Sequence, residues 1–143
     1  MPKMSGWLDD DFRPLLRMAV PDGNPILVQV DTGFNGDVWI TKNNALACGI
    51  DFDEVYERTG YLAGMRPVHE AFARWRVLWF GSLRIVSVSV DLDSDYRTVQ
   101  AGEPVALIGM SLINPATLTI NCEKRTVLLR HAGSMIGATP GAP

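Results

Sequence analysis

Cysteine is nearly missing from the sequence: Cys48 and Cys122 are the only two in 143 residues, and they stand far apart. Two isolated thiols give no disulfide framework, so reduced thiols in a cytoplasmic protein are expected. Histidine is equally scarce, with only His69 and His131. His69-Glu70 lacks a second histidine at helical spacing, so no metal site is expected. Basic residues are not in excess either. The net charge of −3 argues against nucleic acid as a partner, because such surfaces concentrate positive charge. No apolar run is long enough to span a bilayer, and MPKMSGWLDDDF at the start has no apolar leader core. No membrane partner is expected. With 47% hydrophobic and 20% charged residues, the reading is one soluble domain, long enough to bury a core.

What the chain does contain is short strands. Phe12–Val20 and Ile26–Val30 are joined by turn residues at Pro21-Asp-Gly-Asn24, and Asp37–Ile40 is a further short apolar piece. Asn43–Cys48 reads as a brief helix, with Asn43 or Asn44 as N-cap and Gly49 as its stop. Val55–Leu62 and Val68–Phe80 flank Ala63-Gly64 as a hairpin, and Gly81-Ser82 marks a second turn. Ile85–Val90 alternates like a half-buried strand, and Val105–Ile108 reads as a buried one. One helical turn over Met110–Asn114 is stopped by Pro115, and Thr117–Ile120 with Thr126–Leu129 closes the domain as a hairpin. The predicted class is all-β with one or two short helices. The domain is expected over residues 1–130, and residues 131–143, rich in Gly, Ala and Pro, form a loose tail.

The stretch Ile26-Leu-Val-Gln-Val-Asp-Thr-Gly-Phe-Asn-Gly36 drives a strand into a carboxylate and then breaks it with glycine. A calcium loop fits poorly. Gly33 and Lys42 stand at loop positions three and twelve, where oxygen ligands are needed. The acidic Asp91–Asp95 segment fails the same test and reads as a solvated turn. Gly109-Met-Ser111 lacks the last glycine of a nucleophile elbow. Arg74-Trp-Arg-Val-Leu-Trp79 could stack nucleobases, but a strand with arginine outside and apolar residues inside explains it more simply. What is left is a plain turn or a carboxylate held at a catalytic surface.

Asp31-Thr-Gly33 after an apolar run, paired with a second apolar run ending in glycine at Ala106-Leu-Ile-Gly109, resembles the retropepsin-like aspartic proteases. Gly6-Trp-Leu-Asp-Asp, Asp31-Thr-Gly-Phe-Asn-Gly36 and Leu107-Ile-Gly-Met-Ser-Leu-Ile113 are similar to the bacterial branch called clan AA. The resemblance spans about Gly6 to Leu129. It implies a single-lobe, closed β-barrel active as a two-fold symmetric homodimer, an aspartic endopeptidase whose substrate is a peptide or protein and which needs no cofactor. Peptide hydrolysis of this type takes two acids sharing one proton, and this chain carries one triplet, so a second copy must supply the other.

In that reading Asp31 is catalytic. Thr32 hydrogen-bonds across the two-fold axis, and Gly33 lets the backbone turn and the substrate approach. Ala63 and Gly64 form the tip of a flap over the substrate, and Gly60–Pro67 is expected to be more mobile than its neighbours. Leu107 with Ile108 and Gly109 supports the loop, and Leu107 also lines the substrate site. The dimer interface is expected to include the Asp31 loop and a sheet of chain termini. Phe34, Asn35 and Gly36 depart from the retroviral pattern, as does Met110 where a bracing arginine is expected, so the ionic network of the retroviral dimer is missing. The alternative is a catalytically silent dimeric binding module of the same fold.

Overall fold

In a computed structural model of the chain, which describes residues 2–53, 58–62 and 66–131, ten strands and two short helices are formed. The strands are β1 (Lys3–Leu8), β2 (Pro14–Met18), β3 (Ile26–Val30), β4 (Val38–Thr41), β5 (Arg58–Leu62), β6 (Arg66–Trp79), β7 (Ser82–Asp91), β8 (Ala106–Ile108), β9 (Thr117–Asn121) and β10 (Thr126–Arg130). The helices are α1 (Lys42–Ala47) and α2 (Met110–Ile113). No helix among the described residues is long and apolar enough to cross a membrane.

All ten strands join one sheet in the order β5-β6-β7-β4-β8-β3-β2-β1-β10-β9. The expected closed barrel is not formed. The end of β2 meets β6 only at the Ala19–Leu78 bridge, where the Leu78 N–H donates to the Ala19 carbonyl at 2.9 Å. Pro21 follows and has no N–H to extend that ladder, while the first part of β6 is paired with β5. The sheet curls round its core and keeps two open edges, β5 and β9.

One side of this curl is apolar by strict alternation. Val86, Val88 and Val90 of β7 face Val77 and Ala71 of β6, and Leu16, Val28, Val38, Ile40, Ile108 and Leu129 complete a core at most 1% exposed. On the outer side of β6 Arg74 and Arg76 are exposed while Val77 and Trp79 point inward, as the alternation predicts. Close approach is enforced at Gly6, where a β-carbon would lie 1.9 Å from the Leu15 carbonyl oxygen.

Two differences from the sequence reading have clear causes. β1 was not anticipated, because Lys3–Leu8 shows no apolar run of its own; it forms by pairing with β2 and β10. Helix α1 is capped by Thr41 rather than by Asn43 or Asn44: the Thr41 hydroxyl accepts from the Asn44 N–H. Asn44, 3% exposed, instead turns inward. Its amide donates to Thr98 Oγ1 and the Val105 carbonyl and accepts from the Thr98 N–H at 2.8 Å. That pins the β7–β8 connection to the helix. The hairpin β5–β6 lies at the expected place, but its tip, with Ala63 and Gly64, is outside the described residues, as is the tail after His131.

The β1–β2 turn is tied to the β7–β8 connection by charge. Asp9 accepts from the Arg13 guanidinium at 2.6 Å and from the Arg13 N–H at 2.8 Å, and Arg13 also reaches Glu103 at 3.1 Å. Partial burial raises the Asp9 pKa, but the bonds from Arg13 and the Asp11 N–H outweigh it and the net effect is a lowering. A lowered carboxylate pKa stabilises the fold above the unfolded value of 3.8 and loses that contribution as pH falls through the folded value. Asp9→Asn is therefore expected to cost roughly 1 kcal/mol at neutral pH. The gap to wild type should shrink towards zero below the ordinary carboxylate range. Thermal unfolding of both proteins across that range checks this; a constant gap at every pH would contradict it.

Candidate active site

Strand β8 lies between β3 and β4, parallel to the first and antiparallel to the second. The chain leaving β3 must cross over the end of β8 to enter β4, and residues 31–37 make that crossing. β8 ends at Ile108, and Gly109 is the N-cap of α2. The loop is sewn to this corner by backbone bonds. The Asp31 N–H donates to the Ile108 carbonyl at 2.9 Å and the Gly109 N–H to the Asp37 carbonyl at 3.0 Å. Met110 N–H donates to the Phe34 carbonyl at 2.8 Å and Ser111 N–H to Gly36 at 3.3 Å.

Asp31 thus sits at the mouth of a β-sheet, half-buried, on a loop whose backbone is held from below. Its Oδ1 accepts the Gly33 N–H at 2.9 Å, which orients the carboxylate within its own turn. Thr32 and Gly33 are exposed. A β-carbon at position 33 would stand 3.3 Å from Asp31 Oδ1, a tight contact that would press on the carboxylate. Among the described residues no second carboxylate bonds to Asp31, so the loop presents one acid and no more.

Leu107 is half-buried and lies beside Gln29 on one strand and Trp39 on the other. Asp31 follows Gln29 by two residues, so these side chains share a face. Ile108, fully buried, supports the loop from the opposite face. Beside Leu107 a recess of about 90 Å³ is lined by Trp39, Thr41, Asn44, Tyr96 and residues 104–107. A larger cavity of about 380 Å³, bounded by Val20, Ile50, Arg74 and Arg76, includes no residue of the 31–37 loop.

Two residues of this corner escaped the sequence reading. Phe34 was only a departure from a pattern, yet its ring fills the corner. A β-carbon at Gly36 would lie 2.6 Å from Phe34 Cζ, and one at Gly109 would lie 2.5 Å from Phe34 Cδ2. An aromatic at 34 flanked by glycines at 36 and 109 was the available signal. Asp37 is the second: its Oδ2 accepts from the Ser87 N–H at 2.9 Å, while its buried Oδ1 has no partner among the described residues. Nothing in the sequence separates it from an ordinary loop acid.

No protein-family model and no curated protein matches the sequence. In structure the chain is similar to a retropepsin-like aspartic protease from Rickettsia conorii. The TM-score is 0.64 at 23% identity, over 90% of this chain and 99% of that one. The fold is retropepsin-like. On this retropepsin-like fold Asp31, Thr32 and Gly33 occupy one loop, Leu107 flanks it, and the β5–β6 hairpin projects from the other part of the sheet.

Gly109→Ala tests the corner. The added methyl would lie 2.4 Å from the Gly36 carbonyl oxygen, so the loop must move away from α2. A loss of about 1–3 kcal/mol is expected, as for overpacking elsewhere. Denaturant unfolding reads the stability, and amide exchange at Met110 and Ser111 reads the loop bonds. Unchanged protection at both amides would show that the corner is looser than described.

Proposed function

We propose that the chain is an aspartic endopeptidase, active as a homodimer, in which the Asp31 carboxylates of the two copies hold and activate one water. The observation that carries this is the Asp31-Thr-Gly33 loop, braced by backbone bonds to Ile108–Ser111 with its carboxylate at the surface. The retropepsin-like fold, in which a related structure is described as a protease, supports it. The chain has a single such loop, so the second acid comes from the partner.

Two carboxylates in contact cannot both ionise, and the working state holds one proton between them. The ionised member takes a proton from the water as it attacks the scissile carbonyl. The protonated member stabilises the oxygen that develops on the tetrahedral carbon. Thr32 braces the two loops across the axis. Gly33, Leu107 and the flap tip at Ala63 and Gly64 contact the substrate, a peptide or protein segment lying between flap and loop. Neither metal nor cofactor has a part in this chemistry. Cytoplasmic residence belongs to the same proposal, in keeping with two free thiols, of which Cys48 has its pKa raised by burial.

Asp31→Asn keeps the shape of the side chain but cannot ionise. It should lower peptide cleavage at least about a hundredfold while fold and assembly persist. Wild-type activity on a peptide library should follow a bell-shaped pH profile whose limits belong to the pair of acids, and a transition-state mimic should block it. A folded, dimeric Asp31→Asn protein cleaving at the wild-type rate would refute the mechanism.

A further inference from the structure

The place where the barrel fails to close leaves a gap beside β6. The first part of that strand pairs with β5 as far as Glu70, opposite Arg58, and its end meets β2 only at the Ala19–Leu78 bridge. The Leu78 N–H points to Ala19, and backbone groups alternate sides along a strand. Arg76 and Arg74 therefore also direct their N–H and C=O groups into the gap. Extending the bridge register sets Pro21 opposite Arg76, and Pro21 has no N–H to give. Among the described residues nothing takes up these groups.

The gap opens into the cavity of about 380 Å³. Val20, Cys48, Ile50 and Trp75, all packed on the core, give it an apolar lining. Asp22 on the β2–β3 turn and Asp51 after α1, both exposed, form an acidic rim. On the outer face of β6, Arg74 and Arg76 are exposed and have no acidic partner among the described residues. Their neighbours across the ladder, Ser87 and Ile85 of β7, carry no charge. In a chain of net charge −3, two arginines side by side with no counter-charge are the exception.

We propose that this gap docks an extended acidic segment of another protein, which adds to β6 as a short antiparallel strand. Its main chain takes up the N–H and C=O groups of Arg74 and Arg76, the mode by which exposed sheet edges bind peptides. Opposed residues of an antiparallel pair share a face, so the two segment residues facing Arg74 and Arg76 point outward. Carboxylates at those positions meet the guanidinium groups. The residue between them points inward, where the cavity accepts an apolar side chain against Val20, Ile50 and Trp75. Asp22 and Asp51 disfavour an acid there. The recognised pattern is thus acid, apolar, acid. Charges on an edge ordinarily keep strands away, but these two are of one sign and select the strand by its charge. No residue of the Asp31 loop lines the cavity, so the site is separate from the proposed chemistry.

The test is a fluorescence-polarisation titration of the full chain with a short capped, fluorescein-labelled peptide, its core Glu-Leu-Glu and its flanks neutral. Saturable binding is expected, weakened at least about tenfold in the Arg74→Glu/Arg76→Glu double variant by like-charge contact. That variant should bind a Lys-Leu-Lys peptide better than the wild type does. Both arginines are exposed, so its circular dichroism should match the wild type; if it does not fold, Arg74→Gln/Arg76→Gln should weaken binding in the same direction. Methylating the two Glu amide nitrogens of the peptide removes the donors to β6 and should abolish binding. In a Cys122→Ser background, which removes the exposed native thiol, bound peptide should slow alkylation of Cys48 in the cavity. No saturation up to about 1 mM, equal wild-type affinity for the Lys-Leu-Lys peptide, or full affinity after N-methylation overturns the proposal. Binding that leaves the alkylation rate of Cys48 unchanged overturns its location.

Discussion

A methyl group at Gly109 would collide with the Gly36 carbonyl, the Phe34 carbonyl and the Phe34 ring at about the same distance, 2.4–2.5 Å. That crowding reflects the closeness of two chain segments more than seventy residues apart, and the rest of the site depends on it. Only at this separation can Met110 and Ser111 donate to the loop carbonyls while Asp31 donates back to Ile108. The loop then has few directions in which to relax. A carboxylate carried by a free loop would sample many orientations, and ordering it at the moment of use would be costly. Here the ordering is completed during folding.

The topology explains why the corner is so tight. β8 is only three residues long and is inserted between β3 and β4 after the whole β4–β7 excursion has been made. It pairs parallel on one side and antiparallel on the other. Its ladder is short, but both edges are filled, so it acts as a wedge whose position is set by its neighbours. Asn44 and Thr98 secure the connection that delivers it, and Arg13 ties that connection to the β1–β2 turn through Glu103. Such half-buried ion pairs contribute modestly, whereas the Asn44 amide that secures the connection is buried.

Much of this was legible in the residues, and the reason is alternation. β3 lies over Ile26–Val30 as read, and the β9–β10 hairpin falls round Cys122–Arg125, because apolar periodicity and turn residues are local signals. The pairing of the Asp31 loop with the glycine-ended run came from the family resemblance, and the two backbones do meet. What stayed hidden is what depends on distant segments meeting. β1 is a strand only because β2 and β10 flank it. Thr41 caps α1 because the strand before the helix runs one residue further than its apolar pattern suggests. The openness of the sheet turns on Ala19 meeting Leu78 at a single bridge. The use of Phe34 appears only when Gly36 and Gly109 are seen against its ring.

Phe34 also bears on how such a site can be assembled without ions. On the resemblance read from the sequence, a bracing arginine is expected where Met110 stands. The backbone of Met110 bonds to the loop, and the ring of Phe34 packs against Gly36 and Gly109. Packing of this kind is indifferent to pH, whereas an ion pair with a carboxylate weakens as the acid is protonated. In the proposed dimer, the event at the axis is itself a protonation. Two Asp31 carboxylates brought into contact there would share one proton. A loop held by an aromatic ring and backbone amides keeps its shape through that change, which a loop held by carboxylate–arginine pairs would not do as well.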